Sequence, residues 1–382
     1  MKILYCAIDQ TVPGTKGGSI HVQAVAEGLA ALGHQVFVLV SPGTGEFPPG
    51  AVRWIPMMPP LGAKALRWAR SGAVRRIARL VEPDVVIERY YNFGGEGISA
   101  AAAVNATAVL EVNAPVIDHP GSAKALLDRA LLVQPMRRWR ERLCERADLI
   151  VTPTATILPP HTPAGKIVEV EWGADTGAFR PDATGTLPFT RPFGTVAVFA
   201  GAFRRWHGAI HLVRAIRELQ RRGVRDIAAV FIGDGPELPH VRAEAGALDD
   251  VIFTGAIEHE RIPACLAASD IGVAPFDVGA HGPLSLGFYW SPLKMFEYMA
   301  VGLPVVAPAV DRIGGLVAHE REGILYDPVR PHALADALAR LKDPSLRARL
   351  GAAARARAVR EYSWTAHCEK LDAAFHEAAH SH

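Results

Sequence analysis

Short apolar runs rich in β-branched residues alternate with longer stretches of helical periodicity along almost the whole chain. In the first half the runs are KILYCAI (2–8), QVFVLV (35–40), DVVIER (84–89), AVLEVN (108–113), DLIVTPT (148–154) and KIVEVEW (166–172). Strands apolar on both sides, separated by amphipathic helices such as residues 20–32, are what a parallel sheet covered on both faces requires. The pattern then breaks. Residues 173–194 hold three prolines and four glycines with no apolar period, which predicts a linker. A second series follows: TVAVFAG (195–201), AAVFIGDG (228–235), DVIFTG (250–255), DIGVAPF (270–276), PVVAP (304–308) and GILYD (323–327), closed by helical stretches at 331–341, 345–362 and 364–379. The prediction is an α/β chain of two Rossmann-like, doubly wound domains, divided near residue 180. Ligands of such sheets bind at the carboxyl ends of the strands, so a cleft faced by both domains is the expected site.

Composition narrows this picture without changing it. At 382 residues the chain exceeds what one core usually supports, and 49% hydrophobic with 21% charged residues is ordinary for a globular protein. A formal charge of +2 carries no electrostatic footprint for nucleic acid. Cys6, Cys144, Cys265 and Cys368 stand far apart, without metal-ligand spacing, and read as reduced, buried thiols. The start MKILYCAID enters a strand at once, without a secretory pattern, and no run reaches a membrane span, so a cytoplasmic location is expected.

Candidate chemistry gathers at strand ends. After the first strand, Gly17 and Gly18 precede the helical stretch; glycines at a helix start let a ligand approach the backbone, and the helix dipole favours a phosphate there. A plain turn explains them equally, and the spacing is not the GxGxxG of a dinucleotide unit. Strand 195–201 leads into Arg204 and His207, cations placed to neutralise a diphosphate or simply a solvated basic turn. In SPLKMFEYMAVGLPVVAP, Ser291 is a suitable N-cap and Pro292 suits the first helical position. Lys294 and Glu297 then share one helical face, either as a surface ion pair or as groups for a phosphate and for ribose hydroxyls.

Taken in order, these segments resemble the GT-B glycosyltransferases, specifically the large retaining family 4, over essentially the whole chain. The carriers are GGSIHVQAVAEGLAALGHQV, VEVEWGADTGAFRP, FAGAFRRWHG, FIGDGPE, FTGAI, SPLKMFEYMAVGLPVVAP and GGLVAHEREGILYDP. The resemblance implies an acceptor domain at 1–178, a nucleotide-sugar domain at 179–362, and a helix at 363–382 that packs back on the first domain. It implies donor contacts from Gly17, Gly18, Arg204, His207, Gly233, Gly235, Gly255, Ser291 and Lys294, the base held along Thr254 to Ile257, and the ribose held by Glu297. Three departures stand out: Tyr289 replaces the first Glu of the E-x7-E motif, His207 stands where a Lys is usual, and Trp172 replaces the linker Asn. Lys294 then becomes the expected source of the missing positive charge.

The reaction so implied moves a sugar from a nucleotide-diphosphate donor, UDP before GDP, to an acceptor hydroxyl, with retention and without a metal. Arg204 and Lys294 would stabilise the leaving diphosphate, and His119, in the loop NAPVIDHP (113–120), would orient the acceptor or the donor sugar. A loop histidine without catalytic duty is the competing reading. Residues 63–80 carry Lys64, Arg67, Arg70, Arg75, Arg76 and Arg79 among Leu66, Trp68, Val74, Ile77 and Leu80. That stretch is either a peripheral contact with the inner face of a membrane or a solvated helix face. A nucleotide-sugar epimerase and a non-catalytic nucleotide-sugar binder remain alternatives. The sequence leaves the sugar, the acceptor and the oligomeric state open.

Overall fold

In the computed structural model, which describes residues 1–131, 134–192 and 194–379, every apolar run becomes a strand of one of two parallel sheets. The first sheet holds β1 (Lys2–Val12), β2 (Gln35–Pro42), β3 (Arg53–Pro56), β4 (Val85–Arg89), β5 (Thr107–Glu111), β6 (Leu149–Thr152) and β7 (Ile167–Glu169), in the order β3-β2-β1-β4-β5-β6-β7. The second holds β8 (Thr195–Ala200), β9 (Ile227–Ile232), β10 (Val251–Gly255), β11 (Ile271–Val273), β12 (Val305–Pro308) and β13 (Gly323–Tyr326), in the order β10-β9-β8-β11-β12-β13. The apolar pattern missed β3. This short edge strand buries none of its residues fully and ends in a proline, so it lacks the run that marks a central strand.

Burial on both faces explains the continuous apolar runs. In β1, Ile3, Tyr5 and Ala7 join one cluster with Val22, Val25 and Leu29 of the Gly17–Ala31 helix. Leu4, Cys6 and Ile8 join another with Val74, Ala78 and Ile98. The period of two thus fills a core on each side. The helix Trp364–Ala379 adds Cys368, Leu371 and Phe375 to the first of these clusters. All four cysteines are buried and unpaired.

The chain divides into two compact units. One comprises Met1–Trp172, Tyr289–Ser291 and Trp364–His382; the other comprises Gly173–Phe288 and Pro292–Ser363. The boundary expected at 178/179 therefore falls at 172/173. Arg355 accounts for the shift, donating to Thr176 O at 3.0 Å and Phe179 O at 2.8 Å and so tying the start of the linker into the second unit. The closing helix begins at Trp364 rather than 363, and the last three residues of the segment 363–382 lie outside the described residues.

Residues 63–80 need a correction. They form a 3-10 stretch, Lys64–Arg70, followed by the helix Ser71–Val81. Arg67 is fully buried, donating to Asp9 Oδ1 at 2.6 Å, to Arg89 O at 3.0 Å and to Glu96 at 2.7 Å. It belongs to the core and contributes nothing to a basic face. Lys64, Trp68, Arg76, Arg79 and Leu80 stay exposed. No described helix is long and apolar enough to cross a membrane.

Close approach governs the second sheet. A Cβ on Gly272 of β11 would stand 2.4 Å from Tyr298 Cγ, and the Tyr298 hydroxyl accepts a 2.7 Å hydrogen bond from Ala200 N at the end of β8. Gly272→Ala is therefore expected to destabilise the second unit by about 1–3 kcal/mol through overpacking, read as a lower urea midpoint. An unchanged midpoint would mean that Tyr298 is free to move aside.

Candidate functional site

In the second unit the strand order reverses between β8 and β11, which opens a crevice at the carboxyl edge of the sheet. The loop after β8 begins at Gly201, with φ +135°, and the loop after β9 contains Gly233 and Gly235, with φ +126° and +152°. A Cβ on Gly233 would lie 2.1 Å from Gly201 O, and one on Gly235 would lie 2.7 Å from Phe203 N. Both positions thus need glycine, and the two loops pack backbone on backbone. Gly233 N also donates to Gly255 O at 2.8 Å. Thr254 Oγ1 bonds Gly255 O at 2.8 Å, and Ile257 is half-buried just beyond.

Lys294 reaches into this crevice from the helix Leu293–Ala300. Its ammonium lies 4.2 Å above the Phe199 ring and 5.5 Å from that of Phe276, and 3.1 Å from the Cβ position of Gly201. It is buried with no hydrogen-bonding partner. Burial pushes its pKa down to about 7. Glu297, one turn on, is half-buried and pushed up to about 7 for the same reason. Neither an exposed pair nor a closed one is formed. A buried ammonium lacking acceptors is poised for an oxyanion.

Two expectations fail at this end. His207 is not a cation: its Nδ1 donates to Ala202 O at 2.6 Å, while burial and then the Lys294 charge push its pKa down to about 3. Its free Nε2 is an acceptor. Ser291 is not the N-cap. The cap position is Pro292, without a side-chain bond, because the Ser291 hydroxyl donates to Glu171 Oε2 at 2.6 Å and accepts from Trp172 N at 3.0 Å. Ser291 belongs with Tyr289 and Trp290 to the first unit, where Tyr289 packs on the core. The start of the Leu293–Ala300 helix is thereby left uncapped. Arg204 is exposed, and its guanidinium has no partner among the described residues.

The first unit holds a buried cluster that the motifs did not single out. Glu111, at the end of β5, accepts from Tyr5 and His21, from Arg89 Nη1 at 3.1 Å and from Asn113 Nδ2 at 2.5 Å. Trp172 Nε1 donates to Asn113 Oδ1 at 2.8 Å, and the indole stacks on His21 at 4.3 Å. Despite burial, the His21, Arg89 and Tyr5 contacts hold Glu111 well below the usual carboxylate range, and burial lowers His21. Adjacent charges in DVVIER were the available signal. Alternation sends Glu88 and Arg89 to opposite faces of a strand buried on both, so each needs a partner.

Gly17 and Gly18 begin the helix Gly17–Ala31, whose N-cap Lys16 makes no side-chain bond. His119 lies apart from the Glu111 cluster; its Nδ1 contacts Pro120 O at 2.9 Å. Its loop is anchored through Asp118, which accepts from Arg140 at 2.9 and 2.8 Å. A cavity of about 350 Å³ opens beside that anchor, lined by Ile117, Asp118, Arg129 and Arg137. Larger cavities lie elsewhere: about 620 Å³ beside the Ala209–Arg221 helix, and about 870 Å³ along the amino edge of the first sheet. Among the described residues no group of His, Cys, Asp and Glu is disposed to hold a metal ion.

Comparison with known proteins fits this geometry. Residues 15–158 match the model of Glycosyltransferase Family 4, and residues 194–343 match that of Glycosyl transferases group 1. Alpha-D-kanosaminyltransferase of Streptomyces kanamyceticus is 30% identical over 48% of this chain and 45% of its own length. A GDP-mannose-dependent alpha-(1-6)-phosphatidylinositol monomannoside mannosyltransferase of Mycobacterium tuberculosis is 28% identical over 55% of each chain. The chain thus spans about half the length of these curated relatives. Among solved structures, sucrose-phosphate synthase of Thermosynechococcus elongatus aligns with a TM-score of 0.77 at 21% identity, covering 100% of both chains. HepE of Anabaena, solved with UDP-glucose, aligns at 0.68 with 18% identity, over 99% of this chain and 100% of that one. These likenesses establish the fold as GT-B.

The protonation of Lys294 gives the site a sign. Above about pH 7 the empty site holds a neutral amine and an ionised Glu297, and both changes oppose an anion. Affinity for sulfate, whose own charge is constant in this range, is expected to fall by up to about tenfold per pH unit above pH ~7. Lys294→Met should flatten that profile without lowering thermal stability, since it removes an unpartnered buried ammonium. A sulfate affinity independent of pH in the wild type would remove Lys294 from the site.

Proposed function

The chain belongs to the Glycosyl transferases group 1 and Glycosyltransferase Family 4 proteins, and from that membership we propose that it transfers a sugar from a nucleoside-diphosphate donor to an acceptor hydroxyl. One observation carries the reading: the buried, unpartnered Lys294 ammonium beside the uncapped start of the Leu293–Ala300 helix. A diphosphate satisfies both, through the ammonium and through the free N–H groups of the first turn. Arg204, exposed and unpartnered at the end of β8, supplies a second cation. The glycine-bounded loops at Gly233 and Gly255 admit the nucleotide close to backbone, with Ile257 against the base and Glu297 accepting from vicinal ribose hydroxyls.

In this reading the difficult event is breakage of the bond between anomeric carbon and phosphate oxygen. The electron pair leaves with the diphosphate, and the acceptor oxygen forms the new bond as its proton passes to an oxygen of the departing diphosphate. Lys294 and Arg204 stabilise the growing phosphate charge, taking the role that a divalent metal fills in other transferases. Protonated Lys294 is best suited to this, and it is most populated below pH ~7 until the bound diphosphate raises its pKa again. Retention at the anomeric carbon follows the family pattern. His119 is the candidate for orienting the acceptor or the donor sugar, and Gly17 and Gly18 are candidates for donor contact from the first unit. UDP is the first choice of base, supported by the UDP-glucose complex of HepE; the GDP-mannose dependence of the mycobacterial relative makes GDP the competitor. The exposed Lys64, Trp68, Arg76 and Arg79 support a peripheral contact with anionic lipid, which would suit a lipid-linked acceptor.

Thermal stabilisation by UDP, GDP, ADP, dTDP and NAD, with EDTA present, tests the reading directly. One nucleoside diphosphate is expected to raise the melting temperature, and Glu297→Ala to weaken its binding about tenfold or more, the loss of a charged hydrogen-bond acceptor. Stabilisation by NAD alone, or a response that EDTA abolishes, would overturn it.

A further inference from the structure

The cavity of about 620 Å³ in the second unit is lined by none of Arg204, Gly233, Lys294 or Glu297. Its floor is the carboxyl edge of the sheet on the β13 side: Phe276, Asp277 and Val278 follow β11, Val310 follows β12, and Tyr326 ends β13. Its walls are one face of the helix Ala209–Arg221, from His211 onward, and the segment leading into the helix Ala333–Arg340. The volume lies within the roughly 300–1,000 Å³ that small-molecule sites occupy. The buried Phe276 ring also stands 5.5 Å from the Lys294 ammonium, so one side chain bounds both this cavity and the Lys294 crevice.

Three half-buried polar side chains of the cavity keep hydrogen-bonding capacity. The Tyr326 hydroxyl has no hydrogen-bonding partner among the described residues. Burial, and then the charge of Asp277, push its pKa up, which keeps it a donor. Asp277 Oδ1 accepts from Gly279 N at 3.1 Å, whereas Oδ2 stands 3.5 Å from His211 Nε2, a separation too long to fill either atom. The arginines at the rim are otherwise engaged. Arg221 bonds Glu218 at 2.7 Å, Arg330 bonds Asp336 at 2.9 Å, and Arg214 and Arg217 share Glu244.

Charge at this cavity is thus internally compensated. An anion arriving there would face the Asp277 carboxylate and find the guanidinium groups already paired; a cation would meet those same guanidinium groups at the rim. A neutral, polyhydroxylated ligand meets neither obstacle. Its hydroxyls donate to Asp277 Oδ2 and accept from Tyr326, and His211 Nε2 serves as donor or acceptor according to its tautomer. The apolar Phe276, Val278 and Val310 beside these groups suit the C–H face of a sugar ring, the usual mix of an apolar lining and a few placed polar atoms.

We propose that this cavity is a second carbohydrate site, which takes a neutral saccharide through Tyr326 Oη, Asp277 Oδ2 and His211 Nε2. The inference rests on the transferase reading only in taking the hydroxylated ligand to be a sugar of its acceptor or product. A saccharide held there lies against Phe276 and leaves the Lys294 crevice open, so saccharide and nucleotide bind together.

The probes are sucrose, trehalose, maltose and mannobiose, titrated against the full chain by saturation-transfer NMR, with and without saturating UDP or GDP. At least one disaccharide is expected to bind, with the same affinity in both conditions and to Lys294→Met. Tyr326→Phe removes a hydroxyl that has no partner within the protein, so its melting temperature should not fall, while its affinity for that disaccharide should drop about tenfold. Asp277→Asn should weaken binding to a similar degree. Binding that Tyr326→Phe leaves unchanged overturns the site, and so does binding that nucleotide or Lys294→Met abolishes, because the sugar then occupies the Lys294 crevice. No binding of any of the four to the parent also overturns it. Trehalose 6-phosphate is the charge control: if it binds more tightly than every neutral disaccharide and Tyr326→Phe weakens it, the guanidinium groups read an anion and the neutral assignment falls. Failure of the transferase reading shows separately, as no nucleoside diphosphate raising the melting temperature, and leaves the saccharide titrations of the parent, Lys294→Met and Tyr326→Phe decisive.

Discussion

A buried carboxylate organises the carboxyl edge of the first sheet. Glu111 collects hydrogen bonds from Tyr5 on β1, His21 on the first helix, Arg89 on β4 and Asn113 beyond β5. An ionised carboxylate taken out of water needs its lone pairs filled, and here four donors from four parts of the chain fill them. Each donor is fixed in return. Asn113 passes the constraint to Trp172, which stacks on His21, so the end of the first unit's main segment is locked to its first helix. On the opposite face of the same sheet Arg67 plays the complementary part, gathering Asp9, Glu96 and the Arg89 carbonyl around one cation. The position of the strand ends is thus set by charge pairing that tolerates little displacement, while the apolar clusters beneath supply the bulk of the burial.

The second unit reaches the same end by backbone packing. Positive φ at Gly201, Gly233 and Gly235 lets two strand-end loops run within contact of each other, with carbonyl oxygens where side chains would otherwise stand. Clearing side chains from that edge leaves the Phe199 ring open to Lys294, whose ammonium lies 4.2 Å from its centroid. Tyr298, on the same helix as Lys294, fastens it to the end of β8 by accepting from Ala200 N. The helix that carries the cation and the strand that carries the glycines are therefore positioned as one piece.

How far this was legible in the sequence depends on the range of the interaction. Strands buried on both faces announce themselves in a run such as KILYCAI, because local composition is enough; β3 does not, since an edge strand of four residues has no such run. The motifs that resemble family 4 located Lys294, Glu297 and the glycines correctly on strand ends and a helix start. What the sequence could not show is which partner a polar residue finds. Ser291 reads as an N-cap from its neighbours, yet its hydroxyl is taken by Glu171 across more than a hundred residues. Arg67 reads as one more cation in a basic stretch, yet three long-range acceptors bury it. His207 reads as a positive group until burial beside Lys294 makes it neutral.

Why one unit should present an arginine and the other a lysine follows from what each can do when buried. A guanidinium keeps its charge at any working pH, so Arg89 must have a permanent counter-charge, and Glu111 provides it. A lysine can shed its proton instead. Burial pushes the Lys294 pKa down to about 7, and in the proposed reading the negative charge of a bound diphosphate raises it again. In that reading the Lys294 cation is partly charged in the empty site near pH 7 and fully charged in the loaded one. A leaving group that must be held while charge develops, then released, is better served by such a responsive cation than by a permanent one.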